Sequence, residues 1–209
     1  MARPSRNTDR LLLAAGRRLL PETGIGGLSL RKLATEAGVN PGMFYFNFKT
    51  KQKFSRLVLQ EIYEEFFKGF TLETGGKASS GERLKRALVA LSRFARDNRK
   101  LFVMMMHDII EGEEEAIRFS GENLPRHMNV VAGLIRDCQK KGSIKEMPLP
   151  CVVAFLVGSV VMPVIALGLM ERASTGRSFG MTLRQLEPLL MNDAEIEARA
   201  EMALRSLRS

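Results

Sequence analysis

The chain has 209 residues, of which 45% are hydrophobic and 26% charged, and its net charge is +9. This composition is ordinary for a soluble globular protein, and the length allows one small module plus one larger core. Cys138 and Cys151 have neither metal nor redox spacing, so a disulfide framework is not indicated and a reducing, cytoplasmic location is expected.

The positive charge is concentrated at the amino end. Residues 1–53 contain ten Lys or Arg against three Asp or Glu, a net charge of +7, so the rest of the chain is near neutral. A basic module is typical of a protein with a polyanionic partner, although a solubilising surface would have the same composition. Residues 1–7 are expected to be a flexible leader, with an arm along the DNA backbone as the alternative. The apolar stretch at 11–16 is too short for a signal-peptide core.

A first helix is expected to run to Leu20, because apolar residues recur with helical spacing from Leu12, and Pro21 and Gly24 should end it. The glycine-rich residues 23–27 follow a helix rather than a strand, and no βαβ pattern comes after them. A flexible turn is therefore predicted here and not a phosphate-binding loop.

Two short helices separated by a tight turn are predicted next. Apolar side chains in residues 30–37 fall on one face of the first helix, and Ser29 can cap its amino terminus because the hydroxyl accepts from a free backbone N–H. Gly38 suits the left-handed residue that ends such a helix. Asn40 is a second capping candidate, and Pro41 suits the first position of the second helix.

The second helix should divide into two faces. Phe44 and Phe48 are four residues apart and can pack back on the first helix, which leaves the opposite side bare. This is the arrangement of a helix-turn-helix, whose second helix lies in the major groove of DNA. Asn47 can pair with adenine, and Met43 and Phe46 can contact thymine methyls, so each half-site should contain A·T pairs. The predicted DNA-binding residues are Ser29, Arg31, Lys32, Asn40, Pro41, Gly42, Met43, Tyr45, Phe46, Asn47, Lys49 and Lys51.

These residues resemble the amino-terminal DNA-binding domain of the TetR family of bacterial repressors. The family's run after the turn is similar to S-x-G-x-[LI]-Y-x-[HY]-F-x-[ST]-K, and residues 40–51 read N-P-G-M-F-Y-F-N-F-K-T-K. The resemblance covers roughly residues 9–66. Leu28, Asn40, Met43 and Asn47 depart from the family pattern. The hydroxyls lost at Leu28 and Met43 bear on individual phosphate or base contacts and not on the fold.

The resemblance implies an all-α fold in two domains. Residues 1–53 would form the helix-turn-helix DNA-binding domain, with a linking helix that runs on from Thr50 to about residue 69. Residues 54–209 would form a larger helical domain for ligand binding and dimerisation. Beyond a polar connection at 69–82, helical patterns continue to the end of the chain, with a final helix capped by Asn192 or Asp193.

The stretch from Met147 to Met170 has no charged residue over 24 positions. As a helix it would be about 36 Å long, enough to cross a bilayer, so a membrane anchor has to be considered. A helix that is apolar on all sides is equally expected between its own core and a partner subunit. The resemblance favours the second interpretation, because TetR-family proteins pair their last two long helices in a homodimer, and a symmetric dimer reads an inverted repeat.

The middle of the chain is rich in methionine and aromatic residues, which suit an adaptable apolar pocket but equally well fill an ordinary core. The acidic residues at 111–115 are interpreted as a solvated helix start and not as a metal site. No nucleotide-binding, hydrolase or metalloprotease motif is present, so no catalytic residue, cofactor or metal is predicted. The candidate ligand-binding residues are Phe102, Met105, Met106, His107, Phe119, His127 and Met128.

The resulting prediction is a cytoplasmic, nucleoid-associated, dimeric DNA-binding regulator without enzymatic activity. By resemblance, it would be a repressor that a small apolar ligand releases from a palindromic operator. A membrane-tethered regulator and a helical small-molecule-binding protein without DNA binding remain as alternatives.

Overall fold

The structure, a computed structural model, describes residues 6–173 and 176–208, without the side chain of Arg6, so residues 1–5 of the predicted leader lie outside it. The described residues form ten α-helices and no strand, and the predicted all-α fold is confirmed. The helices are α1 (Arg6–Thr23), α2 (Leu30–Ala37), α3 (Gly42–Phe48), α4 (Lys51–Thr74), α5 (Ser80–Asp97), α6 (Arg99–Ile110), α7 (Glu114–Lys140), α8 (Leu149–Arg172), α9 (Leu183–Met191) and α10 (Asp193–Ser206).

Two predicted helix ends were too early. Helix α1 continues through Pro21 to Thr23, because a proline in the last turn removes only one backbone donor, and the helix ends at Gly24, whose φ is 66°. Helix α4 continues past Gly69 to Thr74, in a stretch where the buried Phe70 (1% exposed) packs into a core. Tertiary packing here outweighs the low helix propensity of glycine.

Helix α9 was not predicted from the sequence, since Pro188 lies inside it and the pattern is short. Its start is defined by a capping box, in which the backbone N–H of Thr182 donates to Gln185 Oε1 at 2.9 Å. The predicted cap of α10 is confirmed, because Asn192 Oδ1 accepts from the N–H of Glu195 at 2.7 Å.

The chain folds into two compact units. Unit 1 consists of residues 1–65 and 100–123, and unit 2 of residues 66–99 and 124–209. These units differ from the predicted division at residue 53, because part of α4, nearly all of α6 and the start of α7 group with the amino-terminal module. The assignment of functions to 1–53 and 54–209 stays a prediction.

The net charges of the two units differ from those of residues 1–53 and 54–209. Unit 1 has thirteen Lys or Arg and twelve Asp or Glu, a net charge of +1, because the acidic residues at 61–65 and 108–122 belong to it. Unit 2 has nineteen Lys or Arg and eleven Asp or Glu, a net charge of +8. Unit 2 is therefore more positively charged than residues 54–209 taken together, whose net charge is +2.

The core of unit 2 contains α5, α8 and α10, and five side chains of α8 are almost fully buried in unit 2: Val152, Leu156, Val160, Val164 and Leu167. Among the described residues, α8 is the one helix that is long and apolar enough to cross a membrane, with a mean hydropathy of 2.6 over its best window, of which 33% is buried. Helix α8 therefore has a packed face and a bare face.

Candidate nucleic-acid interface

Helix α2 is positioned by caps at both ends. The Ser29 hydroxyl accepts from the N–H of Lys32 at 3.4 Å, and Gly38 ends the helix with φ 65°. Leu33 and Ala34 are buried in unit 1. Because helices this short are unstable alone, these caps and buried contacts fix where α2 lies.

Helix α3 begins one residue later than predicted. Pro41 occupies the N-cap position, and Asn40 still caps the helix because its Oδ1 accepts from the N–H of Gly42 at 2.9 Å. Phe44 and Phe48 are 0% and 8% exposed, as the predicted inner face requires, and both rings contact Phe54 of α4.

The outer face of α3 presents aromatic side chains to solvent. Tyr45 is 61% exposed and Phe46 is 66% exposed, although large aromatic side chains are usually buried in a core. Gly42 is also exposed, so the backbone at the start of α3 is open to close approach. Exposed aromatic residues beside a positively charged surface are typical of a binding face.

Asn47 differs from the expectation of a fully exposed amide. It is half-buried, and its Nδ2 is shielded from solvent without a hydrogen-bond partner among the described residues. Pairing with adenine requires both the donor and the acceptor of the amide. Asn47 can therefore read a base only if its side chain rotates outward when DNA binds.

The unpaired cations of unit 1 are concentrated in the helix-turn-helix. Arg17 contacts Glu61 and Glu65, and its hydrogen bonds hold the pKa of Glu65 below the usual range. Arg18 pairs with Glu36 at 2.7 Å. Of the described unit 1 cations, those without an ion pair are Arg10, Arg31, Lys32, Lys49, Lys51 and Lys53. Five of these six lie between α2 and the start of α4, so the positive field is local despite the unit's small net charge.

Two of the predicted DNA-binding residues, Lys49 and Lys51, have an unusual local structure. Lys49 ends α3 with φ 64°, a conformation that costs free energy for a residue other than glycine. Lys51 donates from Nζ to the carbonyl oxygen of Gly26 at 2.8 Å. An ammonium group has three donor protons, so this bond leaves two for a phosphate.

Asp108 of α6 is a residue of this region that the sequence did not reveal. Its Oδ2 accepts a hydrogen bond from the N–H of Ile25 at 2.6 Å inside unit 1, and the two residues are 83 positions apart in the sequence. An aspartate in this mostly apolar helix gave no signal of such a contact.

The candidate ligand residues do not form one cluster within either unit. Phe102, Met105, Met106, His107 and Phe119 belong to unit 1, where Phe119 lies edge-on to Tyr63 and Met105 packs against the core. His127 and Met128 belong to unit 2. The ring of His127 lies edge-on to Phe66 at 5.7 Å and to Phe70 at 6.3 Å. Phe66 stacks on Phe94 at 4.1 Å, so an aromatic cluster surrounds His127.

Comparison with known proteins identifies the amino-terminal module. Residues 12–56 match the family of bacterial regulatory proteins of the tetR type. The fatty acid metabolism regulator protein of Bacillus subtilis is 24% identical over 137 residues, which are 65% of this chain and 70% of that protein.

Solved structures share the fold over nearly the whole chain. The Bacillus subtilis regulator FadR in complex with stearoyl-CoA has a TM-score of 0.71 at 17% identity and covers 95% of this chain and 99% of its own. A Saccharomonospora viridis regulator in complex with choline has a TM-score of 0.74 at 15% identity, over 98% and 100% of the two chains. A Rhodococcus regulator of the TetR family has a TM-score of 0.69 at 18% identity, over 98% and 100%.

A capped helix-turn-helix with bare aromatic residues, on an all-helical body, defines a DNA-binding transcriptional regulator. The family match covers the DNA-binding module. Residues 12–56 belong to the tetR family of bacterial regulatory proteins, as the motif at residues 40–51 predicted, and this family is not an enzyme family.

Proposed function

We propose that the protein is a homodimeric repressor that binds an inverted-repeat operator through α3 and is released by an anionic, apolar effector. In the proposed division of labour, residues 1–53 read the DNA and residues 54–209 bind the effector and the partner subunit. The exposed Tyr45 and Phe46, set among unpaired cations, carry the DNA-binding part of the proposal. The protein would act in the cytoplasm, on the nucleoid.

The bare face of α8 supports the dimer. Phe155, Met162 and Leu169 are 45%, 55% and 48% exposed, and their spacing of seven residues places them on one side of the helix. A membrane anchor is disfavoured because α8 would have to withdraw its buried side chains from the core of unit 2. A second copy can cover the bare face without that loss.

Lys49→Ala is expected to weaken operator binding by about tenfold at low salt, because a phosphate contact is lost in each half-site. The slope of log affinity against log salt should become shallower by about two for a dimer. Titration of DNA flanking the protein's own gene, at several salt concentrations, measures both quantities. Lys68→Ala, which removes an exposed cation of unit 2, should change neither. An unchanged slope in Lys49→Ala would remove Lys49 from the interface.

An acyl-CoA effector is supported by two features of unit 2. The aromatic cluster around His127 offers apolar surface for an acyl chain, and the net charge of +8 suits the phosphates of coenzyme A. The structurally similar FadR is known in complex with stearoyl-CoA.

Stearoyl-CoA is expected to lower operator affinity by about tenfold or more, since an effector acts through its different affinities for two states of the protein. Free coenzyme A and free stearate should each have a smaller effect, because each supplies only one part of the ligand. Fluorescence anisotropy of labelled operator, titrated with each compound, makes the comparison. If saturating stearoyl-CoA leaves operator affinity unchanged, the effector belongs to another chemical class or the regulator is constitutive.

A further inference from the structure

The turn between α1 and α2, residues 24–28, is held by side chains from elsewhere in unit 1. Gly24 closes α1 by donating its N–H to the carbonyl oxygen of Leu20 at 2.9 Å. Asp108 accepts from the next N–H, that of Ile25, and Lys51 donates to the carbonyl oxygen of Gly26. The turn predicted to be flexible from its glycines is therefore fixed at two consecutive residues.

The contact with Asp108 is buried. Asp108 is 4% exposed and Ile25 is 1% exposed, so neither the carboxylate nor the N–H has water as an alternative partner. A hydrogen bond to a buried charged group is shorter and stronger than a neutral one, and the N–O distance of 2.6 Å fits this class. Losing the Asp108 carboxylate would leave the N–H of Ile25 unpaired where it is shielded from solvent.

Gly24 is shaped for this contact. A Cβ atom at Gly24 would lie 2.6 Å and 2.7 Å from the two carboxylate oxygens of Asp108. The positive φ of 66° separately favours glycine at this position. Three features therefore match at this site: the backbone conformation of Gly24, the space left by its missing side chain, and the hydrogen bond from Ile25 to Asp108.

The position of the turn determines where the reading helix lies. Helix α2 starts three residues after Gly27 and spans only eight residues, and α3 follows it after a four-residue turn. Short helices have little stability of their own, so their placement depends on the segments that hold them. A bond that fixes the turn also fixes the angle at which α2 and α3 meet DNA.

We infer that Asp108 is a positioning residue for DNA recognition, through which α6 orients the helix-turn-helix. This inference rests on the proposed DNA binding. A residue outside the DNA-binding domain would thus affect base reading indirectly, through the turn. Any tilt of α6 would also disturb the turn. Asp108 itself touches no DNA in this proposal.

The experiment compares Asp108→Ala, Asp108→Asn and Glu111→Gln in the full-length protein. Glu111 is exposed, lies just beyond α6 and has no side-chain hydrogen bond or ion pair among the described residues, so it controls for the loss of a negative charge. Affinity for the operator and for a scrambled duplex is measured for each variant. Hydrogen exchange at the Ile25 amide is followed in parallel.

Asp108→Ala should lose about tenfold or more in operator affinity and much less in affinity for scrambled DNA, so the specificity ratio falls. Asp108→Asn keeps an acceptor oxygen and should fall between Asp108→Ala and the wild type. Exchange at Ile25 should accelerate in Asp108→Ala and stay unchanged in Glu111→Gln. A general loss of folding would instead weaken both DNAs alike.

Three results separate the possible failures. If the wild type binds no operator, the proposed function fails and not this inference alone. If Asp108→Ala binds the operator within about twofold of the wild type, or if both DNAs weaken equally, Asp108 is not a positioning residue. Should Asp108→Ala not fold, Asp108→Asn decides the question by the same specificity ratio.

Discussion

Met162→Glu should convert the proposed dimer into a monomer and lower operator affinity by about a hundredfold or more. Met162 is 55% exposed at the centre of the bare face of α8, with Phe155 and Leu169 one heptad to either side. In a two-fold interface each substitution places a carboxylate against apolar surface of the partner, and both copies contribute one. Burying unpaired like charges costs several kcal/mol, more than most dimers can lose without dissociating.

The loss of DNA binding follows from symmetry. A dimer places two reading helices on two half-sites, whereas a monomer keeps the contacts of only one. Sedimentation equilibrium measures the dissociation constant of the dimer, and anisotropy with labelled operator measures DNA binding. Leu72→Glu is the matched control, because Leu72 is an apolar residue of α4 with 74% exposure and should change neither quantity. A dimeric Met162→Glu variant would place the interface elsewhere and would reopen the assignment of α8.

Local patterns determined most of what the sequence predicted correctly. The caps Ser29, Gly38 and Asn192 act on neighbouring backbone groups, so their chemistry is visible in a short stretch of sequence. The inner face of α3 was likewise predictable, because Phe44 and Phe48 are related by helical spacing. The failures were non-local: the extension of α4 depends on packing of Phe70, and the bond from Asp108 to Ile25 joins residues 83 positions apart.

The distribution of charge between the two units also depends on non-local contacts and could not be predicted from the sequence. Read along the chain, the basic residues of 1–53 contrasted with a near-neutral remainder. In the folded protein the acidic residues at 61–65 and 108–122 belong to unit 1, and the excess positive charge lies in unit 2. DNA binding is therefore supported by the cations that remain without an ion pair near α3, and only the fold shows which cations these are.

Phe44→Ala should destabilise unit 1 by about 3–5 kcal/mol and abolish operator binding, because it removes the central side chain of the small core beneath the reading helix. Phe44 is 0% exposed, and its ring lies 5.3 Å from Phe54 and 5.7 Å from Phe48. Helix α3 has only seven residues, so it cannot keep its position without these contacts.

Tyrosine fluorescence can measure the loss of stability in Phe44→Ala, and Phe46→Ala is the matched control. It has no tryptophan, and both tyrosines, Tyr45 and Tyr63, lie in unit 1, so tyrosine fluorescence during urea unfolding reports on that unit. Phe46→Ala removes a ring two positions away that is 66% exposed, and it should change stability by no more than about 0.5 kcal/mol. The same variant should still weaken operator binding by about tenfold, since the lost ring is predicted to contact thymine methyls. Equal destabilisation by the two variants would mean that the inner and outer faces of α3 have been assigned the wrong way round.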